Sequence, residues 1–336
     1  MAEAASHLNI LKDLETNLRL VVDQIKDGES ESQRSTFSSE AYWNYLGVLF
    51  KTLSLEATKF SVAYCESPFP TREQCVAMVA SLEKSVLALV SAFYSLPKSQ
   101  GVNLRKQLKS AVLEVLQNII GLVSSLAQVN PVASNRRQTT GQVWEVADNF
   151  ASLPKNNCEA CLLTLKQAAD LVKDALDEVE EMVNNDGQCE DLDEILAEEG
   201  NPRSNIDTWS EEDKELVGPS SGLVKTIRSL LKKTREAIQG HGKCETDEQV
   251  AQLDDLSELA ERLSPAVDNL LSSLYPPIDR VTVGNMATAL SETIENTLTF
   301  LRNSYLTCEQ DSQWLDFLEK AEKHNLTKVK ALLSKS

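Results

Sequence analysis

Residues 71–97, TREQCVAMVASLEKSVLALVSAFYSLP, decide the fold. Apolar side chains fall at Cys75, Val79, Leu82, Val86, Leu89, Phe93 and Leu96, in steps of four and three that alternate without a slip. Such a row is the seam of a helix packed lengthwise on other helices, as in a bundle or coiled coil. Thr71 stands where its side chain can cap the free amides of the first turn. Pro97 and Gly101 close the segment.

The pattern recurs in both directions. Upstream, residues 6–27 read as an amphipathic helix (Leu8, Leu11, Leu14, Leu18, Val21, Ile25) closed by Gly28, and a second helix is expected over about 38–65, before Pro68 and Pro70. Downstream, a helix over 102–129 carries Leu104, Leu108, Val112, Val115, Ile119, Leu122 and Leu126 and stops at Pro131. A short element around Val143–Phe150 holds Trp144, and a long helix over 155–184 repeats the seam at Cys161, Leu165, Ala168, Val172, Ala175, Val179 and Met182. These helices predict one bundle core over residues 1–185.

From Asp174 to Glu215 there are seventeen acidic and two basic residues, which accounts for fifteen of the chain's eighteen net negative charges. Like charges at this density resist compaction, so 186–214 reads as a partly disordered acidic linker. Helices then follow over 219–239 with Pro219 at the start, 246–275 with Pro265 expected to kink or split it, 278–306 and 311–334. They make a four-helix C-terminal bundle over 215–336. The fold class is all-α: two bundles joined by the acidic linker, with no convincing period-two strand alternation.

Composition excludes much. Gly (12), Pro (10) and aromatics (5%) are too scarce for an all-β sandwich. A net charge of −18 opposes direct nucleic-acid binding, which needs a basic face to replace phosphate counterions. No apolar run reaches the ~18 residues of a membrane span, and the first thirty residues lack a signal peptide's apolar core. The histidines are only His7, His241 and His324, and the last two read as surface residues. Seven scattered cysteines suit a reducing compartment. Cys158 and Cys161 form a C-x-x-C without a second pair or a flanking βαβ pattern, so they read as two thiols near a helix start. No Gly-rich phosphate loop, nucleophile elbow or H-E-x-x-H motif is present. No catalytic, cofactor or metal site is therefore expected, and the chain reads as a protein whose surfaces do the work, not as an enzyme.

Residues 219–275 invite a sharper reading. They form helix, Gly-containing loop, helix, with Leu256, Leu263 and Leu270 seven apart, as in a helix–loop–helix with a zipper-like extension. The preceding Ser210, Glu211, Glu212, Asp213 and Glu215 would repel phosphate, so a DNA-reading arm is lacking; Lys225, Arg228, Lys232, Lys233 and Arg235 lie inside the first helix. The competing expectation is that these leucines face the chain's own core. Ser210 also heads a capping-box pattern with Asp213, and its acidic followers make it a candidate phosphorylation site for an acidophilic kinase.

Longer stretches carry a resemblance. Tyr94-Ser-Leu-Pro-Lys-Ser-Gln-Gly-Val-Asn-Leu-Arg-Lys106, Thr208-Trp-Ser-Glu-Glu-Asp-Lys-Glu-Leu216, Val250-Ala-Gln-Leu-Asp-Asp255, Leu263-Ser-Pro-Ala-Val-Asp-Asn269 and Leu274-Tyr-Pro-Pro277 closely resemble the cyclin-D-binding protein family, also called GCIP, Maid or HHM. The resemblance implies bundles closer to those of vinculin and α-catenin than to a true zipper. It implies a regulator of cytoplasm and nucleus that binds D-type cyclins, restrains phosphorylation of the retinoblastoma protein and slows the cell cycle. It also implies antagonism of helix–loop–helix transcription factors; self-association is a further expectation. A vinculin-like cytoplasmic adaptor is the alternative function. No residue-level site follows from the resemblance: Leu306-Thr-Cys308-Glu309 misses the L-x-C-x-E retinoblastoma-binding motif, its acid falling one position early.

Overall fold

Three helices of this protein begin with one local device. Thr71, Ser210 and Thr246 each accept the backbone N–H of the residue three ahead, while Gln74, Asp213 and Gln249 accept the cap's own N–H. Each such box satisfies two of the amides a helix start leaves unpaired. The computed structural model describes residues 2–28, 37–64, 69–128, 133–184 and 209–335. The helices are α1 (Ala2–Asp27), α2 (Ser39–Ala63), α3 (Arg72–Tyr94), α4 (Val102–Leu126), α5 (Ala133–Asn149), α6 (Asn157–Asn184), α7 (Glu211–His241), α8 (Asp247–Ser272), α9 (Arg280–Asn303) and α10 (Ser312–Leu333). The protein is all-α, with no strand among the described residues.

Two compact units divide the chain, Met1–Asn157 and Cys158–Ser336. In the first, α1 to α5 close a ring: α1 packs on α3 and α4, α2 on α3 and α5, and α4 on α5. The seam expected on α3 faces inward at Cys75, Leu82, Val86, Leu89 and Phe93. By length and composition α3 is apolar enough to cross a membrane, but Glu83 and Lys84 interrupt its apolar run and it packs on α1, α2 and α4. Two glycines permit close approaches. A Cβ on Gly47 of α2 would meet the Phe150 ring at 2.8 Å, and that ring stacks obliquely on Phe50, with centroids 5.0 Å apart. Gly101, at φ +106°, begins α4 without a capping side chain; the buried Asn157 carboxamide substitutes, accepting the Leu104 N–H at 3.1 Å.

The second unit contains α6 to α10. There α10 packs on α7 and α9, and α9 on α8. The inward face of α6 (Cys161, Leu165, Ala168, Val172, Leu176, Val179, Met182) shares one core with Leu223, Leu256, Leu290 and Leu315. The packing differs here from the expected division at 185: α6 shares the core of the helices that follow it. Its seam is as read except that Leu176, not Ala175, takes the buried position, and a seam does not state which bundle it closes.

Other boundaries also move. α5 is a seventeen-residue helix where a short element was expected; the polar run from Arg137 to Gly141 hides it, though Thr140 is buried. α7 starts at Glu211 and runs through Pro219, because the Ser210 box and three acidic first-turn residues fix its start eight residues earlier. Pro265 likewise lies inside an unbroken α8. Of the expected linker, 186–208 lies outside the described residues. Residues 209–214 are folded: Trp209 is buried and its indole N–H donates to the Leu274 carbonyl at 2.7 Å.

Candidate functional site

On α8, Leu256, Leu263 and Leu270 are all 0% exposed and lie in the second core, with Ala260 and Val267 between them. Glu258, Glu261 and Arg262 occupy the opposite, exposed face. The three leucines therefore form the inward seam of their own bundle, and the folded chain offers no zipper stripe at these positions. On α7, Lys225 faces Glu180 at 3.8 Å and Lys233 pairs with Glu236 at 2.7 Å. Leu306 of the near-miss motif is fully buried, so it cannot be presented to a partner in this fold.

Ser210 caps α7. Its Oγ accepts the Asp213 N–H at 3.2 Å and donates to the Asp213 carboxylate at 2.7 Å, while the Ser210 N–H donates to that carboxylate at 3.1 Å. Any group added to Oγ removes its O–H donation to the Asp213 carboxylate.

Sequence reading missed the outer face of α2. The helix already has a complete inward seam in Leu46, Phe50, Leu53, Ala57 and Phe60. Half a turn round, Val48, Leu55 and Val62 repeat every seven residues and are 61%, 55% and 70% exposed. Tyr45, also exposed, flanks them and lines a shallow depression with Phe37, Tyr42 and Ala92. A helix apolar on both faces has more seam than its bundle consumes. Among the described residues the other helices carry at most two exposed large apolar side chains each, as Leu20 on α1 or Val76 and Leu87 on α3. The signal in the sequence was the surplus itself: three apolar residues at heptad spacing beside a seam already full.

Two side-chain clusters lie where helix ends meet connections in the second unit. Cys158 is hydrogen-bonded to Cys244, which with partial burial pushes its thiol well above the ordinary range; burial pushes the Cys161 thiol up to about 12. Thiols held protonated in this way are poor nucleophiles. The second cluster is His241, Cys308 and Asp311, the one group of three such donors that converges among the described residues. Burial raises the Asp311 carboxyl, but hydrogen bonds from the Cys308 backbone and the Trp314 indole outweigh it and leave the pKa lowered.

The arrangement is that of an all-helical protein with two compact units and, on α2, an apolar stripe left exposed. Comparison with known proteins then specifies it. Residues 45–185 match the family model described as Grap2 and cyclin-D-interacting, N-terminal, and residues 189–299 match its C-terminal counterpart. The chain is 38% identical to the Cyclin-D1-binding protein 1 homolog of Xenopus laevis over 325 residues (96% of this chain, 98% of the relative). It is 36% identical to the homolog of Danio rerio over 327 residues (96% and 95%), and 31% identical to the Cyclin-D1-binding protein 1 of Homo sapiens over 343 residues (98% and 94%). The chain belongs to the Grap2 and cyclin-D-interacting family. The two family models meet near residue 185, where the sequence reading placed its boundary, whereas the packed cores divide at Asn157.

Proposed function

We propose that this chain is a non-enzymatic regulator that binds a D-type cyclin, restrains phosphorylation of the retinoblastoma protein by the associated kinase, and so slows cell-cycle progression in cytoplasm and nucleus. The family and the names of its relatives support the partner. The observation that carries the reading is the α2 stripe of Val48, Leu55 and Val62, a row at heptad spacing that suits an apolar face of a partner helix. Burying one such side chain contributes about 1.5–3 kcal/mol, so three left in water are a reserve for association. Seven cysteines scattered along the sequence fit a reducing compartment.

Antagonism of helix–loop–helix factors is the finer part of the reading. It does not run through Leu256, Leu263 and Leu270 while the second bundle is folded, so such factors would share the α2 stripe. Phosphorylation of Ser210 is a regulatory input: it would exchange a hydroxyl cap for an anion at a helix start already crowded by Glu211, Glu212 and Asp213.

The test is calorimetric titration of the purified full chain with a purified D-type cyclin, followed by phosphorylation of a retinoblastoma fragment by the cyclin–kinase pair. Saturable binding and a slowed reaction are expected. Absence of binding to every D-type cyclin overturns the reading. Light scattering across a concentration series separates cyclin binding from self-association through the same stripe.

A further inference from the structure

The His241, Cys308 and Asp311 cluster is used by nothing above. His241 is the last residue of α7; Cys308 and Asp311 lie in the connection from α9 to α10, where Glu309–Asp311 make a 3-10 turn. The Cys308 Sγ is 3.6 Å from His241 Nε2, and Nε2 is 3.9 Å from Asp311 Oδ2; all three donor atoms lie within 4.8 Å of one another. Zinc holds nitrogen and oxygen ligands at about 2.0–2.2 Å and sulfur at about 2.3 Å, which in a tetrahedron sets ligand atoms roughly 3.3–3.7 Å apart. The sulfur–nitrogen pair already has this separation. The remaining ligand atoms need a small side-chain rotation.

The carboxylate is oriented in advance. Its Oδ2 accepts the Cys308 N–H at 2.9 Å and its Oδ1 accepts the Trp314 indole N–H at 2.7 Å, the kind of support that fixes metal-binding carboxylates. Thiolate, imidazole and carboxylate together form a borderline-soft donor set, suited to zinc and unsuited to magnesium or calcium, which take oxygens. His241 also sits at the negative end of the α7 dipole, which favours a cation. His241 and Cys308 are exposed, so water can complete the coordination.

We propose that His241, Cys308 and Asp311 bind a zinc-class divalent cation that ties the end of α7 to the connection between α9 and α10. On binding, the Cys308 S–H bond breaks, its proton passes to solvent and the sulfur lone pair forms the bond to the ion; no electron is transferred.

The experiment uses the chelator-stripped full chain titrated with cobalt(II) and then zinc(II). One equivalent of cobalt should bring a thiolate-to-cobalt charge-transfer band with the intense visible absorption of a tetrahedral ion, and zinc should displace it and raise the melting temperature. Cys308→Ser should abolish the charge-transfer band while the helical circular dichroism is retained. Trp314→Phe, which keeps an aromatic ring against the core but removes the N–H that orients Asp311, should weaken binding roughly ten- to a hundredfold. Cys158→Ser with Cys244→Ser must leave the band intact. A band that survives in Cys308→Ser, or is lost with Cys158 and Cys244, overturns the proposal, as does the absence of any thiolate band.

Discussion

Val48, Leu55 and Val62 on α2 repeat at the same seven-residue interval as Leu256, Leu263 and Leu270 on α8, yet the first trio is exposed and the second is fully buried. Their surroundings explain the difference. α8 has one apolar face and a charged one opposite (Asp255, Glu258, Glu261, Arg262), so its heptad has to be the inward seam. α2 fills its inward seam with Leu46, Phe50, Leu53, Ala57 and Phe60, and its heptad is left over. Spacing identifies a face of a helix. Whether that face is free depends on how many faces the bundle uses.

The comparison breaks most easily at its buried end. Leu263→Ala should cost the second bundle about 2–5 kcal/mol, through lost transfer energy and the cavity left behind. Denaturant unfolding measures it, and a loss under ~0.5 kcal/mol would return the α8 heptad to the surface. Ser210→Ala should cost about 1 kcal/mol by removing the α7 cap, with cyclin affinity unchanged. If binding falls together with stability, α7 takes part in the interface.

Glu322 supplies a smaller effect with a definite sign. It is 1% exposed; Ser291 donates to its Oε1, while Oε2 has no hydrogen-bond partner among the described residues. Burial, then the nearby Glu295 and Glu319 charges, raise its pKa against the pull of Ser291 and Lys323. A carboxyl raised in the folded state contributes stability that is complete below its unfolded pKa and lost as pH rises through the folded one. Glu322→Gln should therefore raise the melting temperature at neutral pH and flatten its dependence on pH above the unfolded carboxyl range. A parallel pH profile in wild type and variant would show that the carboxyl is hydrated. Smallest of all, Leu55→Gln should change stability by less than ~0.5 kcal/mol, since its side chain is more than half exposed.

Much of this was legible in the sequence because it is local. The α3 seam, the Thr71 cap and the Ser210 box each depend on residues within a few positions, and each is found where its pattern puts it. What was not legible is non-local. The α6 seam reads correctly from Cys161 to Met182 apart from one position, Leu176 for Ala175, but its assignment to the second core depends on Leu223, Leu256 and Leu290, far along the chain. α5 hides behind polar residues that only a neighbouring helix makes part of a core. The stripe on α2 required knowing that its other face was already full. His241 meets Cys308 across 67 positions, and nothing near either residue announces the other.

The central claim is that the α2 heptad is free because it serves a partner. Val48→Gln, Leu55→Gln and Val62→Gln, combined in one chain, test it by calorimetric titration with a D-type cyclin, with Leu87→Gln on the exposed side of α3 as the matched control. Truncating three apolar contacts at an interface, each contributing at least about 1 kcal/mol, should weaken binding by roughly a hundredfold or more while the melting temperature stays within error. The control should bind like wild type. Equal affinity for the triple variant and wild type would contradict the account.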